Sequence, residues 1–233
     1  MRYLTLYALT GVCLLLGACK KELSDPGTPA SITLQFTSAV GASPLVLNTS
    51  YTDTLGEPFT VTAFRYYISD IKLISKSGGI QSVPGIYHLV DAANTASQTL
   101  SFTASVDSLV ALSFLIGADS ARGVSDIMAE LEGTSLVSTA PNDSIEYQIG
   151  GFTGQYNVLR TVTLALPSGP YNLLLSESDT LAVSINADIN AWFLGPHVLP
   201  IAGNPVCTTP GALASEFADN YSMMFTVTNA QIK

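Results

Sequence analysis

The side chains able to do chemistry are few: two histidines, His88 and His197, one tryptophan, Trp192, and three cysteines, Cys13, Cys19 and Cys207. Imidazole and thiolate are good ligands for copper and zinc, but one of them alone holds nothing tightly. His88 and His197 would therefore have to meet each other or Cys207 to build a metal site. Each also has a plainer reading. His88 lies in Tyr87-His88-Leu89-Val90-Asp91, a short strand whose alternation puts His88 and Val90 on one face. There it is either a ligand or a hydrogen-bonded histidine at a sheet margin. His197 follows Gly195-Pro196, a loop position at the surface. Cys207 reads as a small buried apolar residue, or as a soft-metal ligand or redox thiol. Trp192, in Asn190-Ala191-Trp192-Phe193, reads as a half-buried anchor. Tyr66 and Tyr67 are neighbours on one strand, so one packs inward and the other faces solvent or a ligand.

Catalytic signatures are missing. A serine hydrolase would need one of the two histidines as its base, and no G-x-S-x-G elbow is present. There is no phosphate-cradling loop, no EF-hand pattern and no C-x-x-C pair, and no spacing singles out two carboxylates. The expectation is a protein that is not an enzyme, with no catalytic residues. Asp followed by Ser or Thr and an apolar residue recurs, as in Asp53-Thr54-Leu55, Asp107-Ser108-Leu109 and Asp179-Thr180-Leu181. That pattern matches a bacterial O-glycosylation acceptor, and it equally ends turns and opens strands.

Cys19 has a different chemistry. Met1-Arg2 supplies a positive start, Tyr3 to Leu16 is apolar, and Leu16-Gly17-Ala18-Cys19 closes the run. The apolar stretch is too short for a permanent membrane span. The pattern predicts a lipoprotein signal peptide over residues 1–18, acylation of Cys19, and a lipidated tether over residues 19–30, rich in Pro and Gly. The expected location is a bacterial membrane, on the periplasmic face or the cell surface of a Gram-negative organism. The membrane, reached through the lipid anchor, is then the first partner. Loss of Cys13 and acylation of Cys19 leave Cys207 alone, so the mature chain makes no internal disulfide. The full chain carries 9 basic and 18 acidic side chains. Nucleic-acid binding needs clustered Lys and Arg, so it is excluded as a partner class.

The elements that must position these residues read as strands. Ile32, Leu34 and Phe36 alternate with Thr33, Gln35 and Thr37. Phe59 to Ser75 is β-branched and aromatic, with a shift of apolar phase that predicts a bulge near Tyr66-Tyr67. Val106 to Ile116 reads as a central strand buried on both faces. Ile145 to Phe152, Leu159 to Leu166, Tyr171 to Leu175, Leu181 to Ile185 and Met223 to Val227 add further strands. Helix is confined to a turn or two in Ala187 to Phe193 and a short helix in Ala212 to Asn220. The expectation is an all-β fold: a single β-sandwich-like domain over residues 31–233, immunoglobulin-like or a related barrel, with little helix.

Three ordered stretches resemble one family. Phe64-Arg65-Tyr66-Tyr67-Ile68-Ser69-Asp70-Ile71-Lys72-Leu73 resembles its F-x-YYIS-x-I-x-L strand. Leu131-Glu132-Gly133, with Glu146-Tyr147-Gln148-Ile149-Gly150-Gly151-Phe152, resembles its L-E-G … Y-H-I-G-G-F region. Asn204-Pro205-Val206-Cys207, running to Tyr221-Ser222-Met223-Met224-Phe225-Thr226-Val227, resembles its C-terminal signature. The family is the MbnP-like proteins, named for a methanobactin-associated periplasmic copper-binding protein, whose Bacteroidota members are lipoproteins. The resemblance implies an all-β domain with a role in copper binding outside the cytoplasm. It implies a copper site of histidine and an oxidised tryptophan (kynurenine) made by a partner di-haem enzyme of the MbnH type. This chain departs from that pattern at the ligands. The family's tryptophan-rich segment is missing between Gly117 and Glu132, Gln148 stands at one histidine position, and Asn229 and Gln231 stand at two more. The remaining candidate donors are His88, His197 and Cys207. The alternative function is a metal-free binding or interaction lipoprotein that retains the scaffold.

Overall fold

The computed structural model describes residues 29–106, 108–117, 135–140, 143–151, 153–167, 169–171 and 179–233. The expected signal peptide, Cys19, most of the expected tether, the Gly117–Glu132 departure beyond residue 117 and most of the strand expected after Tyr171 lie outside these residues.

The strands are β1 (Ala30–Val40), β2 (Ser43–Pro44), β3 (Ser50–Thr52), β4 (Pro58–Ser75), β5 (Ile80–Asp91), β6 (Thr99–Ala104) and β7 (Leu109–Ile116). They continue with β8 (Ser135–Ala140), β9 (Asp143–Gln148), β10 (Arg160–Ala165), β11 (Thr180–Asp188), β12 (Val206–Cys207) and β13 (Phe225–Ile232). One helix, α1 (Ala212–Tyr221), and two 3-10 turns, Thr95–Gln98 and Ile189–Trp192, complete the described elements. Ala30, at the start of β1, is buried and paired with Ala104.

Two sheets form. The first runs β13-β11-β1-β2, with β6 also on β1; the second runs β10-β7-β4-β8-β9-β12, with β3 and β5 also on β4. Neither sheet closes on itself, so the sandwich expectation holds and the barrel alternative does not. Phe36 and Phe225 of the first sheet meet Tyr66 and Phe114 of the second edge-to-face, at centroid distances of 5.1–6.5 Å. Edge-to-face packing of this kind adds to the area buried between the sheets.

The chain patterns explain the strands. In β1, Ile32, Leu34 and Phe36 are buried and the residues between them are not, as a half-buried strand requires. The register of β1 with β11 is parallel, Ser31 opposite Thr180 through Ala39 opposite Asp188. In β4 the buried set changes parity twice: Phe59 and Val61, then Phe64, Tyr66 and Ile68, then Ile71 and Leu73. The register shifts at those same places, between Val61 and Ala63 and between Ser69 and Ile71. The second bulge is therefore at Asp70 rather than near Tyr66-Tyr67. Asp70 takes φ 47°, and an aspartate tolerates that left-handed region better than its β-branched neighbours. β7 is central, between β10 and β4; Leu109, Leu112, Phe114 and Ile116 are buried in the core, whereas Val110, Ala111 and Leu115 are half-covered, against the expectation of burial on both sides.

Candidate functional site at the loop end

β1 runs from the end of the sandwich where β11 starts to the end where β11 finishes and β13 starts. That far end carries α1, the Ile189–Trp192 turn and the loop after it. In α1, Ala214, Phe217, Ala218 and Tyr221 are buried, the i, i+3, i+4, i+7 stripe of a helix with one apolar face. The stripe packs on Trp192. The indole lies within 5.5–6.4 Å, centroid to centroid, of Tyr221, Tyr147, Phe217 and Phe64. Trp192 is wholly buried rather than half-buried, and its Nε1 has no hydrogen-bond partner. Tyr66 is the inward member of the Tyr66-Tyr67 pair; Tyr67 is half-exposed. Burial raises the phenols of Tyr66, Tyr147 and Tyr221 far above their ordinary range.

Polar groups hold the loop over this aromatic floor. Asn220 is fully buried. Its Nδ2 donates to Trp192 O (3.0 Å) and His197 O (2.9 Å), and its Oδ1 accepts from His197 N (2.8 Å). Gly195 must be glycine for a spatial reason, since a Cβ there would sit 2.9 Å from Asn220 Oδ1. Beside it, Asp219 Oδ1 accepts from Arg160 Nε (2.7 Å), and His197 Nε2 lies 3.1 Å from Asp219 Oδ2. The Arg160 guanidinium also donates to Asn157 O, Leu159 O, Ser215 O and Ser215 Oγ. It thereby ties the start of β10 to α1. On the far side, Glu57 accepts from Ile201 N (2.6 Å) and Ala202 N (2.9 Å), and Tyr147 OH donates to Asn204 O (2.8 Å). Asp53 Oδ1 accepts from Leu55 N and Glu57 N, so the Asp-Thr pair at residues 53 and 54 serves a turn.

Burial disfavours ionisation of Asp219, but the hydrogen bonds and charges of Arg160 and His197 outweigh it and hold the carboxyl below its usual value. A depressed carboxyl stabilises the fold above its unfolded pKa of about 3.9, and that contribution is lost as pH falls through the lower folded value. Denaturation curves at a series of pH values should therefore show stability falling below about pH 4, and Asp219→Asn should flatten that slope. An unchanged slope in the variant would remove Asp219 from the account.

The expected metal donors are dispersed. His88 lies on β5 opposite Ile68, and its Nε2 is 2.6 Å from Ser97 O. His197 is engaged at the loop end. Cys207 is a buried free thiol on β12, opposite Tyr147 of β9, and burial pushes its pKa up. Gln148 Nε2 donates to Glu146 Oε1 (2.6 Å) in the second sheet, while Asn229 and Gln231 are exposed on β13 in the first. Among the described residues no three His, Cys, Asp or Glu converge to hold a metal ion. The cluster that does converge, Arg160, Asp219, Asn220 and Ser215, escaped the sequence reading. Its only signal was a lone arginine in the otherwise uncharged run Val158 to Leu166.

The two open sheets, packed face to face with loops and one helix across the end, define an all-β, sandwich-like domain. Residues 29–130 match the model of the MbnP family, the family that the motifs resemble. The solved structure of MbnP from Methylosinus trichosporium is similar at 11% identity and a TM-score of 0.49, over 74% of this chain and 80% of that one. No curated protein matches.

Proposed function

We propose that this chain is a non-enzymatic cell-envelope lipoprotein, anchored through Cys19, whose MbnP-like domain recognises a partner through its loop end without a copper centre. The observation that supports this reading is the separate engagement of every candidate donor. His88 is held by Ser97 O, His197 by Asp219, and Cys207 is buried beside Tyr147. The amides at Gln148, Asn229 and Gln231 offer an oxygen that suits copper poorly. The residues described here do not fit the copper site that the family resemblance implies. No MbnH-like partner is then required.

The loop end suits recognition for two reasons. It is held by Asn220 of α1, Arg160 of β10 and Glu57 beside β4, and it lies at the other end of β1 from the tether. At about 3.3 Å per residue the eleven residues of β1 set the two ends roughly 36 Å apart. Loops on a rigid scaffold are where binding residues concentrate.

Equilibrium dialysis of the mature protein against a copper chelator of known affinity tests the reading. The expected result is no stoichiometric copper. One copper per chain, lost on changing His88 and His197 to alanine, would overturn it and restore the copper role.

A further inference from the structure

Leu194, Val198 and Met223 stand 43%, 63% and 65% exposed at the loop end, and Pro196, between the first two, is exposed as well. They are neighbours. Leu194 and Val198 face each other as bridge partners across the loop. Asn220 grips that loop at His197 N and O, and Met223 N donates to Asn220 O (3.0 Å). Single exposed apolar side chains are ordinary, but a group of them inside a charged rim marks an interaction surface. We propose that this patch takes a basic, apolar polypeptide segment of a partner protein, with lysine or arginine beside aliphatic side chains. The proposal rests on the reading above, that the loop end recognises a partner, and names the chemistry of that partner.

The rim is acidic. Glu216, Asp219 and Met223 recur at helical spacing along α1 and the turn that ends it, and none of the three is buried. Glu216 is in no ion pair among the described residues, and neither is Glu57, which accepts from Ile201 N and Ala202 N of the same loop. The cations at this end, Arg160 and His197, are both engaged with Asp219. Among the described residues lysine is confined to the other half of the domain: Lys72 near the end of β4, Lys76 in the turn after it, and Lys233 beside Thr180. A segment bearing lysine or arginine therefore meets carboxylates that the chain leaves unneutralised, while its aliphatic side chains cover the patch. The same charge disfavours other occupants. A second copy docked by this face would set acidic rim against acidic rim, and an anionic lipid surface would be repelled. The grip of Asn220 fixes the patch before anything binds, which lowers the cost of ordering it.

Fluorescence anisotropy on the full mature chain, dialysed free of metal, tests this with three short labelled peptides: alternating Lys and Leu, alternating Glu and Leu, and alternating Lys and Ser. The Lys–Leu peptide should bind saturably with a Kd below about 100 μM, and the other two at least about tenfold more weakly. Added salt should weaken it. Val198→Ser combined with Met223→Ser should weaken it about tenfold, and Glu216→Gln about threefold. Ile80→Ser, at an equally exposed position at the opposite end of the domain, should leave the affinity unchanged. All these side chains are outside the core, so the thermal midpoints should not move. No saturable binding of the Lys–Leu peptide, equal binding of the Glu–Leu peptide, an affinity unmoved by the paired serine substitution, or an equal loss in Ile80→Ser would overturn the proposal. So would a dimer in sedimentation that the paired substitution dissolves, since the occupant would then be a second copy. None of these results bears on copper, so the dialysis experiment above decides the absence of a copper centre separately.

Discussion

Trp192→Ala should destabilise the domain by about 3–5 kcal/mol, the largest effect of any single substitution at the loop end. The indole is fully buried and touches four aromatic rings drawn from β4, β9 and α1. Its removal opens a cavity where both sheets and the helix meet, and the rings around it are anchored elsewhere and cannot collapse into the gap. Tyr221, for one, is held by its hydroxyl bond to Val158 O at 2.7 Å. Chemical denaturation should show the midpoint falling with little change in slope. Trp192→Phe should cost far less, about 1 kcal/mol or below, since it keeps a ring in place and removes an indole N–H that has no partner. A loss below 1 kcal/mol for the alanine variant would mean that the aromatic cluster does not hold the end together.

Asn220→Ala should cost about 2–5 kcal/mol, although the side chain is small and polar. One carboxamide satisfies Trp192 O, His197 O and His197 N at once. Alanine would strand these backbone groups, and leaving a buried polar group unpaired costs about 1–3 kcal/mol. Asn220→Asp is the informative companion. It keeps the acceptor toward His197 N but loses both donors, so it should destabilise nearly as much at neutral pH. Trp192 is the only tryptophan in the chain, so its fluorescence reports this loop directly. A red-shifted emission is expected in both variants. Unaltered emission and stability in Asn220→Ala would show that water replaces the carboxamide without loss.

Much of the scaffold was legible in the sequence because it follows local periodicity. The alternation around Leu34 marks β1, and Ala214, Phe217, Ala218 and Tyr221 mark the buried face of α1. Even the bulge in β4 was legible as a change of apolar phase. Its position was displaced because the local pattern does not say which residue is squeezed out, and Asp70 is that residue. Trp192 was misjudged for a related reason. Its burial depends on α1 and β9, which no window around residue 192 contains. The polar cluster was hidden by sequence distance: Arg160 and Asp219 are 59 residues apart and meet only when β10 and α1 pack. The dispersal of His88, His197 and Cys207 is likewise a fact about three separate elements.

The parallel pairing of β1 with β11 bears on how the chain reaches its folded form. The first strand has β6 on one edge early, but its other edge waits for residues 180–188. Contacts between residues so far apart in the chain form slowly, because a long loop must close before they return any stability. Synthesis proceeds from the N-terminus, so most of the polypeptide emerges while β1 still has an incomplete ladder. The first sheet is therefore complete only once residues 180–232 are available. A fold whose opening strand is closed by its last ones tolerates no loss of its C-terminal segment.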